Sequence, residues 1–191
     1  MKISYKLSKL DDSLKFRIVN NKAIRVALKN NNIKNLGYSY WDLAGYFNSN
    51  AYRDSAYFYY NKAQKIFDAT NDKKKSGILL LNLAILSKNN RDFTGSETIT
   101  YKAINNFEAS KNYKQLYRAY NNLGIIANEL KEYKNALKFY NKAEVNLKKA
   151  TDPYRLATLY NNIGVTYTYM NKNDIALQYF KNSKKIYDEK N

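Results

Sequence analysis

Side-chain amides at a regular interval are the feature of this sequence with the clearest chemical use. Asn82, Asn122 and Asn162 lie 40 residues apart, and Asp42 holds the position one interval earlier. An Asn amide both donates and accepts hydrogen bonds, so a row of them can pair with the backbone of an extended peptide. Each such bond contributes about 0.5–1.5 kcal/mol net, so three of them support binding without supplying nanomolar affinity. The structural alternative is that the same amides hydrogen-bond between neighbouring helices.

Few residues of this sequence are of the types that catalysis uses. The chain of 191 residues has no His and no Cys, which excludes an imidazole base, a thiol nucleophile and the common zinc ligands. No two Gly residues form a G-x-G turn, and no phosphate-binding loop is present. The adjacent acidic pairs, Asp11-Asp12 and Asp188-Glu189, suit helix ends. We therefore expect a protein that is not an enzyme and that uses neither a cofactor nor a metal.

The charge balance is strongly basic, with 33 Lys plus Arg against 16 Asp plus Glu and a net charge of +17. The excess is greatest near the amino terminus, at Lys15, Arg17, Lys22, Arg25 and Lys29. Such a run could contact nucleic acid or an acidic partner, although a run of charges is more often a solvated face. The most apolar stretch, Ile78 to Leu86, is too short to span a membrane, and no secretory signal is visible. We expect a cytoplasmic protein with no membrane partner.

The sequence repeats itself every 40 residues. The segment Tyr120-Asn121-Asn122-Leu123-Gly124 recurs as Tyr160-Asn161-Asn162-Ile163-Gly164. The repeat predicts a single array, with a half unit at 1–36 and full units at 37–76, 77–116, 117–156 and 157–191. Apolar residues at i, i+3 and i+4 predict two helices in each unit. Asp152-Pro153 predicts a helix start, with Asp152 as the N-cap.

Small residues recur where the first helix of a unit must approach its partner closely. The residues at this position are Ala44, Ala84, Gly124 and Gly164. Large rings at Tyr60, Tyr140 and Phe180 are expected to fill the gap between neighbouring units. One unit cannot bury its apolar face alone, so the units must stack.

This pattern resembles the tetratricopeptide repeat (TPR), in which W-x2-L-G-x2-Y is followed by A-x3-F and by a further Ala. The matching residues in the third unit are Tyr120, Leu123, Gly124, Ala136, Tyr140 and Ala143; those in the fourth are Tyr160, Ile163, Gly164, Tyr167, Ala176 and Phe180. The resemblance implies an all-α fold, a TPR-like α-solenoid of antiparallel helix pairs in a right-handed superhelix. Units of this kind look like those of bacterial regulators and peptide-sensing receptors.

The resemblance also assigns the candidate binding residues, because the first helix of each TPR pair lines a concave groove. Carried over by position, they are Tyr38, Trp41, Asp42, Asn82, Arg118, Asn121, Asn122, Glu129, Asn161, Asn162 and Tyr169. Arg118 and Lys88 are the only cations near the positions of a carboxylate clamp, so we do not expect that specificity.

The implied function is a scaffold or adaptor that binds a protein or peptide in this groove. One alternative is the sensory portion of a longer bacterial transcriptional regulator or histidine kinase. Another is a nucleic-acid-associated protein that uses the basic outer helices. The apolar end helices have no capping helix beside them in this sequence, so we expect either that the natural chain continues or that these ends pack on a partner or on a second copy of the chain as a homodimer.

Overall fold

Helices of nearly equal length make up the computed structural model, which describes residues 13–150 and 153–189. Within these ranges there are nine helices and no strands, and 87% of the residues are helical. The helices are α1 (Ser13–Lys29), α2 (Ile33–Ser49), α3 (Arg53–Ala69), α4 (Lys73–Asn89), α5 (Phe93–Ala109), α6 (Tyr113–Glu129), α7 (Tyr133–Ala150), α8 (Pro153–Tyr169) and α9 (Asn173–Asp188). The all-α fold that the sequence predicts is confirmed.

The helices pair in the order of the sequence. The closest packing joins α2 with α3, α4 with α5, α6 with α7 and α8 with α9. The first helices of these pairs begin at Ile33, Lys73, Tyr113 and Pro153, four residues before the expected unit boundaries. In front of the first pair, α1 packs on α2, where the Phe16 ring stacks on Tyr46 at 4.7 Å.

Each described turn between helices contains one residue in the left-handed backbone conformation. These residues recur every 20 positions, and none is glycine: Asn31, Ala51, Asn71, Arg91, Lys111, Lys131 and Asn171. The residue that follows donates its N–H to a helix carbonyl five residues earlier, as Tyr52 does to Phe47 at 2.9 Å. This C-cap geometry satisfies carbonyls that a helix end leaves unpaired. Turns of three residues between helices of about 17 residues thus produce the 40-residue period.

Glycine lets the two helices of a unit approach each other. A Cβ on Gly164 would lie 2.5 Å from the Phe180 ring, and a Cβ on Gly124 would collide with the Tyr140 ring. We expect these rings between neighbouring units, and the structure agrees for Tyr140, which is in one apolar cluster with Leu159 and Ile163 of the following unit. The Tyr140 and Phe180 rings also lie against the glycine of their own pairs, because the missing Cβ leaves room for them there.

The first helices of the pairs form one side of the array. Helix α4 contacts α6 directly and α6 contacts α8, whereas no comparable contact joins successive second helices within the described residues. Because the first helices lie closer together, their side is the inner, concave side of the array. The outer side is formed by α3, α5, α7 and α9.

Both ends of the described array expose apolar side chains, among them Leu14 and Ile18 on α1 and Leu177 on α9. The homodimer expected through these ends stays a prediction. No helix among the described residues has the length and apolarity needed to cross a membrane. The start of α8 at Pro153 confirms the expected helix start, while Asp152, like Asp11 and Asp12, lies outside the described residues.

Candidate binding groove

Two aromatic candidates of the first unit form a cluster on α2. Tyr38 stacks on Trp41 with ring centroids 6.5 Å apart, and both rings meet the Phe67 ring of α3 edge-on. Lys75 Nζ lies 5.6 Å from the centre of the Tyr38 ring. Both rings are half-buried, as is the side chain of Asp42, so part of each ring can meet an apolar side chain of a ligand.

A pair of cations lies on the inner side of the array. The half-buried Arg118 guanidinium on α6 donates to Gln115 Oε1 at 2.8 Å. Burial lowers the pKa of Arg118, and so does the nearby charge of Arg155 on α8. The Arg155 guanidinium lies 6.0 Å from the centre of the Tyr117 ring, and the Tyr117 hydroxyl donates to the Arg155 carbonyl at 3.2 Å. A partly desolvated guanidinium beside a like charge is stabilised when a carboxylate approaches.

Opposite charges lie on neighbouring first helices, with Lys88 in the last turn of α4 and Glu129 in the last turn of α6. Burial lowers the pKa of Lys88, and the charge of Glu129 opposes that effect. Glu129 is exposed and Lys88 is half-buried. The groove therefore combines apolar rings near its first unit with charged groups further along.

The row of amides divides into buried and accessible members. Asn122 is 3% exposed, and its amide donates to Thr100 Oγ1 on α5 at 3.0 Å. Asn162 on α8 donates to Asn121 Oδ1 on α6 at 2.9 Å. Asn82 is half-buried and Asn161 is exposed. The assignment of Asn122 to the groove is corrected here, because its buried amide holds α5 and α6 together; the Asn121–Asn162 bond likewise joins two units.

The residue one unit earlier explains why Asn122 and Asn162 differ. Asn162 meets Asn121, whose side-chain oxygen accepts a hydrogen bond. The residue that corresponds to Asn121 one unit earlier is Leu81, which is fully buried and has no acceptor. The Asn122 amide therefore turns to Thr100 instead.

The remaining candidate, Tyr169, lies at the end of α8. Its side chain is exposed, and its ring stacks on Tyr133 of α7 with centroids 5.8 Å apart. Sequence reasoning missed Gln115 and Arg155, which hold one repeat position together with Lys75. The 40-residue spacing of these three polar residues is the signal that could have found them. No group of His, Cys, Asp or Glu that could hold a metal ion lies within the described ranges.

Comparison with known proteins agrees with this geometry. Residues 115–189 match the family model described as Tetratricopeptide repeat. This match covers the third unit and nearly all of the fourth, and it confirms the resemblance to the tetratricopeptide repeat seen in the sequence there. No curated protein sequence is significantly similar to the chain.

Solved structures with the same fold match nearly the whole chain. BtubC (BKLC) from P. vanneervenii has a TM-score of 0.86 at 21% identity, over 96% of this chain and 76% of that one. Aspartyl phosphate phosphatase F from Bacillus subtilis has 0.78 at 15%, over 97% of this chain and 58% of that one. YrrB, described as a TPR protein with an unusual peptide-binding site, has 0.62 at 16%, over 97% of this chain and 84% of that one. At these identities the likeness shows the fold alone, a TPR-like helical solenoid.

Proposed function

We propose that the inner side of the array binds a peptide segment of a partner protein, and that the chain is a scaffold or adaptor without catalysis. The observation that carries this proposal is that two half-buried guanidinium groups, Arg118 and Arg155, lie on neighbouring first helices of the inner side. Burial and the like charge of Arg155 both lower the pKa of Arg118, in agreement with this placement. The TPR family and the peptide-binding neighbour YrrB support a protein or peptide partner in general. The phosphatase neighbour gives no support for catalysis, because 15% identity shows the fold alone.

The ligand that fits this side is an extended segment with a carboxylate and an apolar side chain at separate points. The carboxylate would accept hydrogen bonds from the guanidinium of Arg118. The apolar side chain would pack against the exposed parts of Tyr38 and Trp41, two units away. Asn161, which is exposed, is the amide best placed to bond the backbone of such a segment.

The test is a screen of immobilised acidic, neutral and basic peptides with the full chain, followed by fluorescence anisotropy on the tightest binder. We expect acidic peptides to be selected. Arg118→Gln should weaken the selected peptide about 10–100-fold, because a hydrogen bond to a charged group contributes about 1.5–3 kcal/mol. The matched control is Lys138→Gln, the same loss of charge on the exposed face of α7, which should leave the affinity unchanged.

Two results would contradict this function. One is a screen that selects neutral or basic peptides, and the other is an equal effect of Arg118→Gln and Lys138→Gln. Unchanged helical content of both variants is required for the comparison. The cytoplasmic location, a bacterial signalling role and a place in a longer regulator or kinase stay predictions.

A further inference from the structure

Three aromatic rings pack together at equivalent positions of the first and fourth units. They are Tyr40, Phe47 and Tyr59 in the first unit, and Tyr160, Tyr167 and Tyr179 in the fourth. Neighbouring ring centroids in these groups lie 5.5–6.0 Å apart. The third unit keeps two of the rings, Tyr120 and Phe139, which pack against the same apolar clusters.

The second unit lacks all three rings. The equivalent residues there are Leu80, Ser87 and Ile99. Two adjoining cavities of about 560 and 610 Å³ open at these smaller side chains, with Ser87 in the wall of one and Leu80 and Ile99 in the wall of the other. Both cavities are also lined by Tyr57 and Asn61 of α3. We call this opening the α3/α5 trough; its defining residues are Tyr57, Asn61, Leu80, Ser87, Ile99 and Lys102.

A lysine at one repeat position indicates what the trough can hold. Lys62 Nζ lies 5.2 Å from the centre of the Tyr40 ring, and Lys142 Nζ lies 5.5 Å from that of Tyr120. A cation over the face of an aromatic ring is attracted by the ring's quadrupole. Lys102 holds the equivalent position in the second unit and lines the trough, but Leu80 replaces the tyrosine there.

A carboxylate at a second repeat position completes the pattern. In the third unit the Tyr120 hydroxyl donates to Glu108 Oε1 of the preceding helix at 3.4 Å. The residue that corresponds to Glu108 one unit earlier is Asp68 of α3, which lines the second cavity. Its carboxylate also accepts hydrogen bonds from Gln64 and Ser76, so a tyrosine hydroxyl would be a further donor to it. The trough therefore has a cation, Lys102, and a carboxylate, Asp68, at the repeat positions whose residues contact Tyr120 in the third unit.

We propose that the α3/α5 trough binds a tyrosine side chain of a partner protein, within a segment whose flanking residues are acidic. The ring of that tyrosine packs on Leu80 and Ile99 and lies against Lys102, as Tyr120 does with its own lysine. Its hydroxyl donates to Asp68. This surface lies on the outer side of the array, so the inference does not rest on the proposed inner groove.

The acidic flanks follow from the charges that line the two cavities. The first cavity is lined by Arg53, Lys62 and Lys65 against Asp54 and Asp92, and the second by Lys73 and Lys102 against Asp68. Each cavity thus has one more cation than anions, in a chain with a net charge of +17. Carboxylates beside the tyrosine complement this excess and speed association.

The probe is the peptide Ac-Glu-Glu-Tyr-Glu-Glu-NH2, titrated into the full chain while methyl NMR signals are followed. We expect saturable shifts at Leu80, Leu83 and Ile99, which line the second cavity. A matched peptide with Phe for Tyr should bind about two- to tenfold more weakly, because it lacks one hydrogen bond. A matched peptide with Leu for Tyr lacks the ring as well and should bind more weakly still.

Two variants test the site from the protein side. Leu80→Tyr/Ile99→Phe restores the residues of the third unit, so we expect it to fold, to fill the trough and to abolish binding of the peptide. Lys102→Gln changes an exposed residue and should weaken binding about two- to fivefold. Because Lys102→Gln leaves the core intact, it still tests binding in the trough if the Leu80→Tyr/Ile99→Phe variant does not fold.

The proposal is overturned if the trough methyl groups do not shift, if the Leu peptide shifts them equally, or if Lys102→Gln has no effect. Binding that persists in a folded Leu80→Tyr/Ile99→Phe chain would also overturn it. Arg118→Gln should leave this binding unchanged, because Arg118 is on the inner side. A negative result for the trough can therefore be distinguished from a negative result for the inner groove.

Discussion

Replacing Ala51 by glycine removes a left-handed alanine from the turn between α2 and α3, and we expect the chain to become more stable. Ala51 has φ of 62°. In this conformation its Cβ crowds the following carbonyl, which costs an L-residue about 1–2 kcal/mol. Glycine avoids that cost but loses more conformational entropy on folding, by roughly 0.5–1 kcal/mol. The difference is a net gain of about 0.5–1 kcal/mol in the free energy of unfolding.

The periodic turns allow the effect to be repeated. Arg91 and Lys131 have φ of 63° and 62°, and they lie in separate turns, so their effects should add to that of Ala51. The triple variant should gain about 1.5–3 kcal/mol, which raises the melting temperature of a chain of this length by roughly 3–12 °C. Asn71, at φ of 53°, is a residue type that tolerates this conformation, so Asn71→Gly should change stability little.

Thermal and urea unfolding followed by far-UV circular dichroism measure these changes. The matched control is Ala109→Gly, the same substitution at an exposed helical position at the end of α5, which should lose about 0.5–1 kcal/mol. If Ala51→Gly destabilises the chain as much as Ala109→Gly does, the left-handed alanine is not strained and the reasoning is refuted.

Three further predictions concern single substitutions inside the units. Gly45→Ala should raise the free energy of unfolding by about 1 kcal/mol, because nothing lies within 4 Å of the new Cβ. Gly164→Ala should lower it, because the Cβ would lie 2.5 Å from the Phe180 ring and overpacking costs about 1–3 kcal/mol; urea titration of both variants checks the opposite signs. Burial raises the pKa of Tyr140 above its ordinary value of 10.0, so its contribution to stability is present below pH 10.0 and is lost as the pH rises further. Tyr140→Phe should therefore flatten the loss of stability above that pH by up to about 1.4 kcal/mol per pH unit, which unfolding curves at a series of alkaline pH values would show, and an unchanged slope would contradict it.

The helix pairs could be predicted because the repeat is strongest where two helices touch. Gly124 and Gly164 each face a ring of the partner helix, so their spacing reports the pairing directly. The unit boundaries were predicted less accurately than the helix pairs, because the turns share a backbone conformation without sharing a residue type. Ala51 and Lys131 have the same left-handed backbone conformation but different side chains, so no shared residue type indicates where these turns lie.

The candidate groove was harder to predict, because a repeat position does not fix what a side chain contacts. Asn122 and Asn162 hold the same position, but one is buried against Thr100 and the other bonds Asn121. The hydrogen-bond partner of each Asn depends on a residue of the preceding unit. That residue can be identified only when positions one unit apart are compared. The same comparison, applied to Lys75, Gln115 and Arg155, would have found Arg155.

In a repeat protein, a unit whose side chains differ from the packing pattern of the other units is a candidate binding surface. Rings at the positions of Leu80, Ser87 and Ile99 would bury apolar surface, as they do in the first and fourth units, at about 0.8 kcal/mol per CH₂ group. The second unit forgoes that stabilisation and leaves an opening beside Lys102. A tyrosine from a partner would restore the missing burial only in the complex, so the departure that weakens the isolated chain is the one that would favour binding.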